Sequence, residues 1–196
     1  MLVRTAFALL FGLIASVVAV GLALAATTAD LQDFNASFDK DKNMHLEASA
    51  MVTAPLDKVF DAIAHPELTA KSDPAVDKTV ISHQGEDSIV EIFGPQVPIP
   101  NAPKSLKIKV LPDKTNHSIE VDSYQSPILQ FQNSYRLSPS KDGKSTLVKY
   151  SSTSNDISKQ LGTDIPSDMR KTAGLTTFMN QMNRVADYID RSAVAK

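Results

Sequence analysis

The stretch VTAPLDKVFDAIAHPE, residues 52–67, joins two kinds of structure. Before it, MHLEASAMV (residues 44–52) alternates as a strand does, with Met44, Leu46, Ala48, Ala50 and Val52 on one face. After Pro55 the apolar residues fall at Leu56, Val59, Phe60 and Ile63, which is helical spacing. Proline suits the first turn of a helix. The run stops at His65-Pro66, because the residue before a proline is pushed out of the helical region. A second brief turn is expected over Glu67 to Lys71, before Asp73-Pro74.

The strands that follow are marked by alternation and by turn residues. Val76–His83 and Ser88–Phe93 flank the hairpin turn Gln84-Gly85-Glu86-Asp87. GPQVPIPNAPK, residues 94–104, holds four prolines and reads as a stiff, extended loop. Ser105–Leu111 places Leu106, Ile108 and Val110 opposite Lys107 and Lys109. A turn at Pro112-Asp113-Lys114 leads to Asn116–Tyr124, and Ile128–Leu137 and Ser145–Ser154 complete a set of seven strands. A closing helix is expected from about Ile165 to Arg191. Its stripe is Leu175, Phe178, Met179, Met182, Val185, Ala186 and Ile189, with Arg170, Lys171, Asn180, Arg184 and Asp187 lying away from it. Gly174 costs this helix about 1 kcal/mol relative to alanine; close packing, a hinge or a tolerated surface position would each account for it.

Upstream, Arg4 precedes an apolar run from Ala6 to Leu24 that ends in Ala23-Leu24-Ala25. A positive start, an apolar core and small residues at the cleavage site describe a signal peptide over residues 1–25, cleaved after Ala25. An uncleaved N-terminal membrane anchor is the alternative, since the run approaches the roughly 20 residues that span a bilayer. Either arrangement puts the domain outside the cytoplasm, periplasmic or secreted. Residues 26–43 are polar with scattered aromatics and read as a flexible arm; residues 192–196 read as a tail.

Without residues 1–25 the chain keeps 19 basic and 22 acidic side chains. A mixed, mildly acidic surface argues against nucleic acid as a partner. There is no cysteine, hence no disulfide and no thiolate metal site. His45, His65, His83 and His117 lack metal-ligand spacing, and no nucleophile elbow or phosphate-binding loop occurs. No metal, cofactor or catalytic residue is assigned.

One strand, a pair of short helices, six antiparallel strands and a long terminal helix form an uncommon order. Three phrases accompany it: Thr53–Phe60, Asp122–Leu129 and Asp142–Val148. In order and content they resemble the START-like, or Bet v 1-like (SRPBCC), superfamily, nearest to its polyketide cyclase/dehydrase and coenzyme-Q-binding branches. Ser126 and Ile128 stand where those branches carry a glycine and a phenylalanine. The resemblance covers residues 44–191 and implies an α+β helix-grip fold: a seven-stranded curved antiparallel sheet wrapped around the C-terminal helix, with two short helices plugging a cavity.

In such a fold the inward phase of the sixth strand is Leu129, Phe131, Asn133, Tyr135 and Leu137, the other phase being polar. Val148, Tyr150 and Ser152 share a phase on the last strand. Phe131, Asn133, Tyr135, Val148, Tyr150 and Ser152 are therefore candidate ligand contacts, with Leu175, Phe178, Met179 and Met182 on the helix. An apolar pocket with a few oriented polar groups suits a small molecule, and methionine adapts to irregular apolar shapes. Val97, Ile99 and Pro100 make the 94–104 loop a candidate gate and a point of transient membrane contact. The expectation is an exported binder or carrier of a hydrophobic small molecule such as a lipid, isoprenoid quinone or sterol-like compound. A cyclase- or hydrolase-type enzyme using the same cavity and a periplasmic protein-interaction module are the alternatives.

Overall fold

In the computed structural model, residues 29–70, 76–85, 87–93, 105–126, 129–158 and 164–194 are described. The expected signal peptide and the gate residues Val97, Ile99 and Pro100 lie outside them. Eight strands form one antiparallel sheet in the order β1-β2-β8-β7-β6-β5-β4-β3. They are β1 (Ala29–Phe38), β2 (Met44–Val52), β3 (Lys78–Gln84), β4 (Asp87–Phe93), β5 (Ser105–Asp113), β6 (Ser118–Ser123), β7 (Phe131–Pro139) and β8 (Thr146–Ser154). The helices are α1 (Leu56–Ala64), α2 (Pro66–Ala70) and α3 (Ser167–Val194). This is the helix-grip architecture, with one strand more than expected.

The additional strand corrects the reading of residues 26–43 as a flexible arm. From Ala29 onward the chain pairs along the whole of β2, from Ala29 opposite Val52 to Phe38 opposite Met44. Phe34, Ala36 and Phe38 are half-buried at alternate positions, and the two phenylalanines pack on the core. The closing helix also runs to Val194, three residues into the expected tail.

The joint behaves as its prolines dictate. Pro55 caps α1 with extended backbone (φ −60°, ψ 151°), and His65 leaves the helix at φ −121°, ψ 68°. The buried Thr146 hydroxyl donates to Ala54 O at 2.8 Å, and Ala54 N–H donates to Val52 O at 2.8 Å. The end of β8 thus holds the turn from β2 into α1. Val59, Phe60 and Ile63 are buried beneath it.

A second tie joins distant loops to α3. Arg170, 6% exposed, donates from Nη1 to Lys42 O (2.7 Å) and from Nη2 to Asn155 O (3.4 Å). Its guanidinium lies 4.9 Å from the Phe38 ring centroid and 3.8 Å from Asp156. The sequence reading placed Arg170 away from the packed stripe; it is instead the cation that fastens the β1–β2 loop and the β8–α3 connection to the helix. Burial holds its pKa below the ordinary guanidinium value, partly offset by Asp156.

Replacing Thr146 by valine keeps the shape but strands the Ala54 carbonyl, and should lower unfolding free energy by about 1–3 kcal/mol in urea titrations. Arg170→Lys should lose about 3 kcal/mol by the same measurement, since an ammonium cannot span the two carbonyls and the carboxylate together.

Candidate functional site

Between the sheet and α3 lies a cavity of about 210 Å³. Ile63 of α1 and Pro66, Thr69 and Ala70 of α2 line it at one side, so the proline-bounded helix pair borders the pocket. Ile92, Leu106, Ile108 and Val121 carry an apolar wall across β4, β5 and β6. Met44 and Leu46 contribute from β2. The polar groups cluster on β7, β8 and α3.

Five of the candidate residues meet there: Phe131, Asn133, Tyr135, Tyr150 and Ser152. Strand register explains the grouping. Asn133 faces Ser152 and Tyr135 faces Tyr150 across β7 and β8, and such opposed side chains stand about 5 Å apart. Val148 is fully buried in the core and is not among the lining residues.

The helix candidates are corrected. Phe178 and Met182 belong to the solid core, Met179 packs partly buried against it, and Leu175 is half-buried off the cavity wall. The close neighbours of α3 are β1, β2, α1 and α2, so its apolar stripe is spent on that side. The cavity instead receives Gly174, Thr177, Gln181 and Arg184, the next stripe around the helix. Met169 lies outside the cavity and is 48% exposed.

The polar corner is organised around two phenols. The Tyr135 hydroxyl donates to Gln181 Oε1 at 2.7 Å. Its ring lies 4.9 Å from that of Tyr150, which stacks on Phe178 at 5.0 Å with 17° between planes. Burial raises the Tyr135 pKa well above the ordinary phenol value, with the neighbouring Tyr150 adding to it. Burial pushes Tyr150 up to about 12, Ser152 and Tyr135 offsetting part of the rise. Both are neutral hydroxyls at physiological pH. Beside them Asn133 Oδ1 is buried with no hydrogen-bond partner among the described residues. The described lining contains Arg184 but no carboxylate, histidine, lysine or cysteine.

The fold has known counterparts among solved structures. Zhui aromatase/cyclase from Streptomyces sp. R1128 aligns at a TM-score of 0.60 and 17% identity, over 77% of this chain and 96% of that one. The chain has the helix-grip fold of that protein. Ara h 8.0201 aligns at 0.57 and 14% identity, over 75% and 97% of the two chains. The di-domain ARO/CYC StfQ of steffimycin biosynthesis aligns at 0.60 and 10% identity, over 77% of this chain and 52% of its own length. These matches bear out the START-like, Bet v 1-like resemblance in fold. No protein family and no curated protein matches the chain.

A phenol whose folded pKa is raised keeps its contribution to stability below its unfolded value and loses it as pH climbs through the folded one. Stability should therefore fall from about pH 10 towards the Tyr150 value of about 12. Urea titrations across that range should show a shallower fall for Tyr150→Phe than for the wild type.

Proposed function

We propose that this protein is an exported binder or carrier of a hydrophobic small molecule, held between the sheet and α3. The observation that carries the reading is the cavity itself: apolar walls on β4 to β6 and one polar corner on β7, β8 and α3. Burying apolar ligand surface there contributes about 25 cal/mol per Å², while the corner orients the ligand's polar end. General acid–base catalysis is most efficient with a group that titrates near the operating pH, and the described lining holds no histidine, carboxylate or lysine.

Export rests on Arg4, the Ala6–Leu24 run and the Ala-x-Ala site. The proline-rich 94–104 segment, with Val97 and Ile99 between its prolines, supplies the point of entry and of passing membrane contact.

A cyclase-type reaction is the second reading, favoured by the aromatase/cyclase folds and by the neutral Tyr135 and Tyr150 hydroxyls as donors. Native mass spectrometry of the protein purified from its own cell envelope, without detergent, separates the two. A stoichiometric apolar passenger, recovered chemically unchanged after incubation, is the expected result. Conversion of that passenger, lost in Tyr135→Phe while binding persists, would establish the enzyme. A bare protein mass after exposure to envelope lipid extracts would overturn both.

A further inference from the structure

The open sheet has two outer edges, and the chain finishes them differently. We propose that the β3 edge is the docking site for a second copy of this chain, in an antiparallel strand pair with its two-fold axis at Val80.

β1 is closed to such pairing by its own side chains. The Gln32 amide donates to Asp30 O at 3.2 Å, and Asp33 Oδ1 accepts the Phe34 N–H at 2.8 Å. The register shift between Leu31 and Asp33 interrupts the same stretch. Irregularities and charges of this kind are how sheets blunt their edges.

β3 carries none of these devices among the described residues. It pairs with β4 in one unbroken register, from Lys78 opposite Phe93 to Gln84 opposite Asp87. No described side chain bonds the backbone of Lys78 to His83. Val80 is 42% and Ile81 38% exposed. Successive strand residues point to opposite faces, so apolar surface is open on both sides of β3. The cation best placed to guard it, Lys78, holds its ammonium 5.9 Å from the Phe93 ring centroid, over β4. A regular, apolar, unguarded edge is a template for another strand.

The residues along the edge say which strand. About an axis at Val80, Val80 meets its own copy, Thr79 meets Ile81, Lys78 meets Ser82 and Asp77 meets His83. No like charges face each other, and the Asp77 carboxylate stands opposite an imidazole N–H donor, twice by symmetry. Asp77 is held in line with the strand by its N–H, which donates to Phe93 O at 2.8 Å. With β1 closed, the assembly stops at two copies. A strand pair of this length buries less than the roughly 1,600 Å² of a standard interface, so the dimer is weak and exchanges with monomer.

Sedimentation equilibrium of the purified protein at rising concentration should show monomer passing to dimer and no further. Val80→Lys sets two ammonium groups face to face on the axis, and Val80→Glu two carboxylates. Each variant alone should dimerise about fivefold more weakly or worse, while an equimolar mixture of the two should recover a one-to-one dimer. Val80 is exposed, so neither change disturbs the core. Leu31→Lys on β1 should leave the dissociation constant unchanged. A monomer at every concentration overturns the second copy as occupant and leaves the edge to another protein's strand. Loss of the dimer in Leu31→Lys but not in Val80→Lys overturns the choice of edge. A Val80→Lys and Val80→Glu mixture that pairs no better than either alone overturns the axis.

Discussion

How closely α3 lies against β2 decides where the cavity can be. At Gly174 an added β-carbon would sit 2.5 Å from Leu46 Cδ1 and 3.1 Å from Met44 Cε, so glycine permits the approach that the helix makes. The apolar stripe of α3 and the inner face of β2 interlock on that side, with Phe178, Met182, Val185, Ala48 and Ala50 in one core. The same docking keeps α3 from packing closely along β4 to β6, and it is α1 that approaches β5 and β7. A helix seated centrally would fill the fold; one seated over β1 and β2 leaves a pocket. Gly174 thus leaves room for the ends of the Leu46 and Met44 side chains against the helix.

Most of this architecture is legible in the chain. Period-two alternation in β2, β5 and β7, and the prolines around α1, mark elements whose one face is apolar and whose ends are forced. The inward phase of β7 is readable for the same reason, since Gln130, Gln132 and Arg136 leave only one face for the core. β1 is harder. Its register shifts between Leu31 and Asp33, which moves the apolar phase in mid-strand, and its first half is polar because it is an edge. The spacing Phe34, Ala36, Phe38 is the signal that marks it. On α3 the periodicity identifies a buried side but not what covers it. Arg184 is read only as lying away from the stripe, because a polar stripe towards a cavity, here with Thr177 and Gln181, looks the same as one towards water. Arg170 is obscured likewise: its partners are backbone carbonyls at Lys42 and Asn155, which no side-chain pattern announces.

The polar corner shows how one helix can serve packing and recognition with adjacent stripes. Phe178 supports Tyr150 from the core side, and three residues later Gln181 meets Tyr135 from the cavity side. The phenols are held by stacking and by one hydrogen bond, in a setting that keeps them protonated. Both hydroxyls stand as fixed, protonated dipoles in the cavity wall at neutral pH.

The order of the strands carries a consequence for how the chain reaches this state. The first two strands in sequence find their neighbour only in the last, and the Thr146–Ala54 hydrogen bond closes a separation of 92 positions. Loop closure over such distances precedes the contacts that repay it, which places folds of this kind among the slower ones. The N-terminal hairpin cannot complete its sheet while the chain is still being extended. The sheet is therefore completed only once β8 has been made.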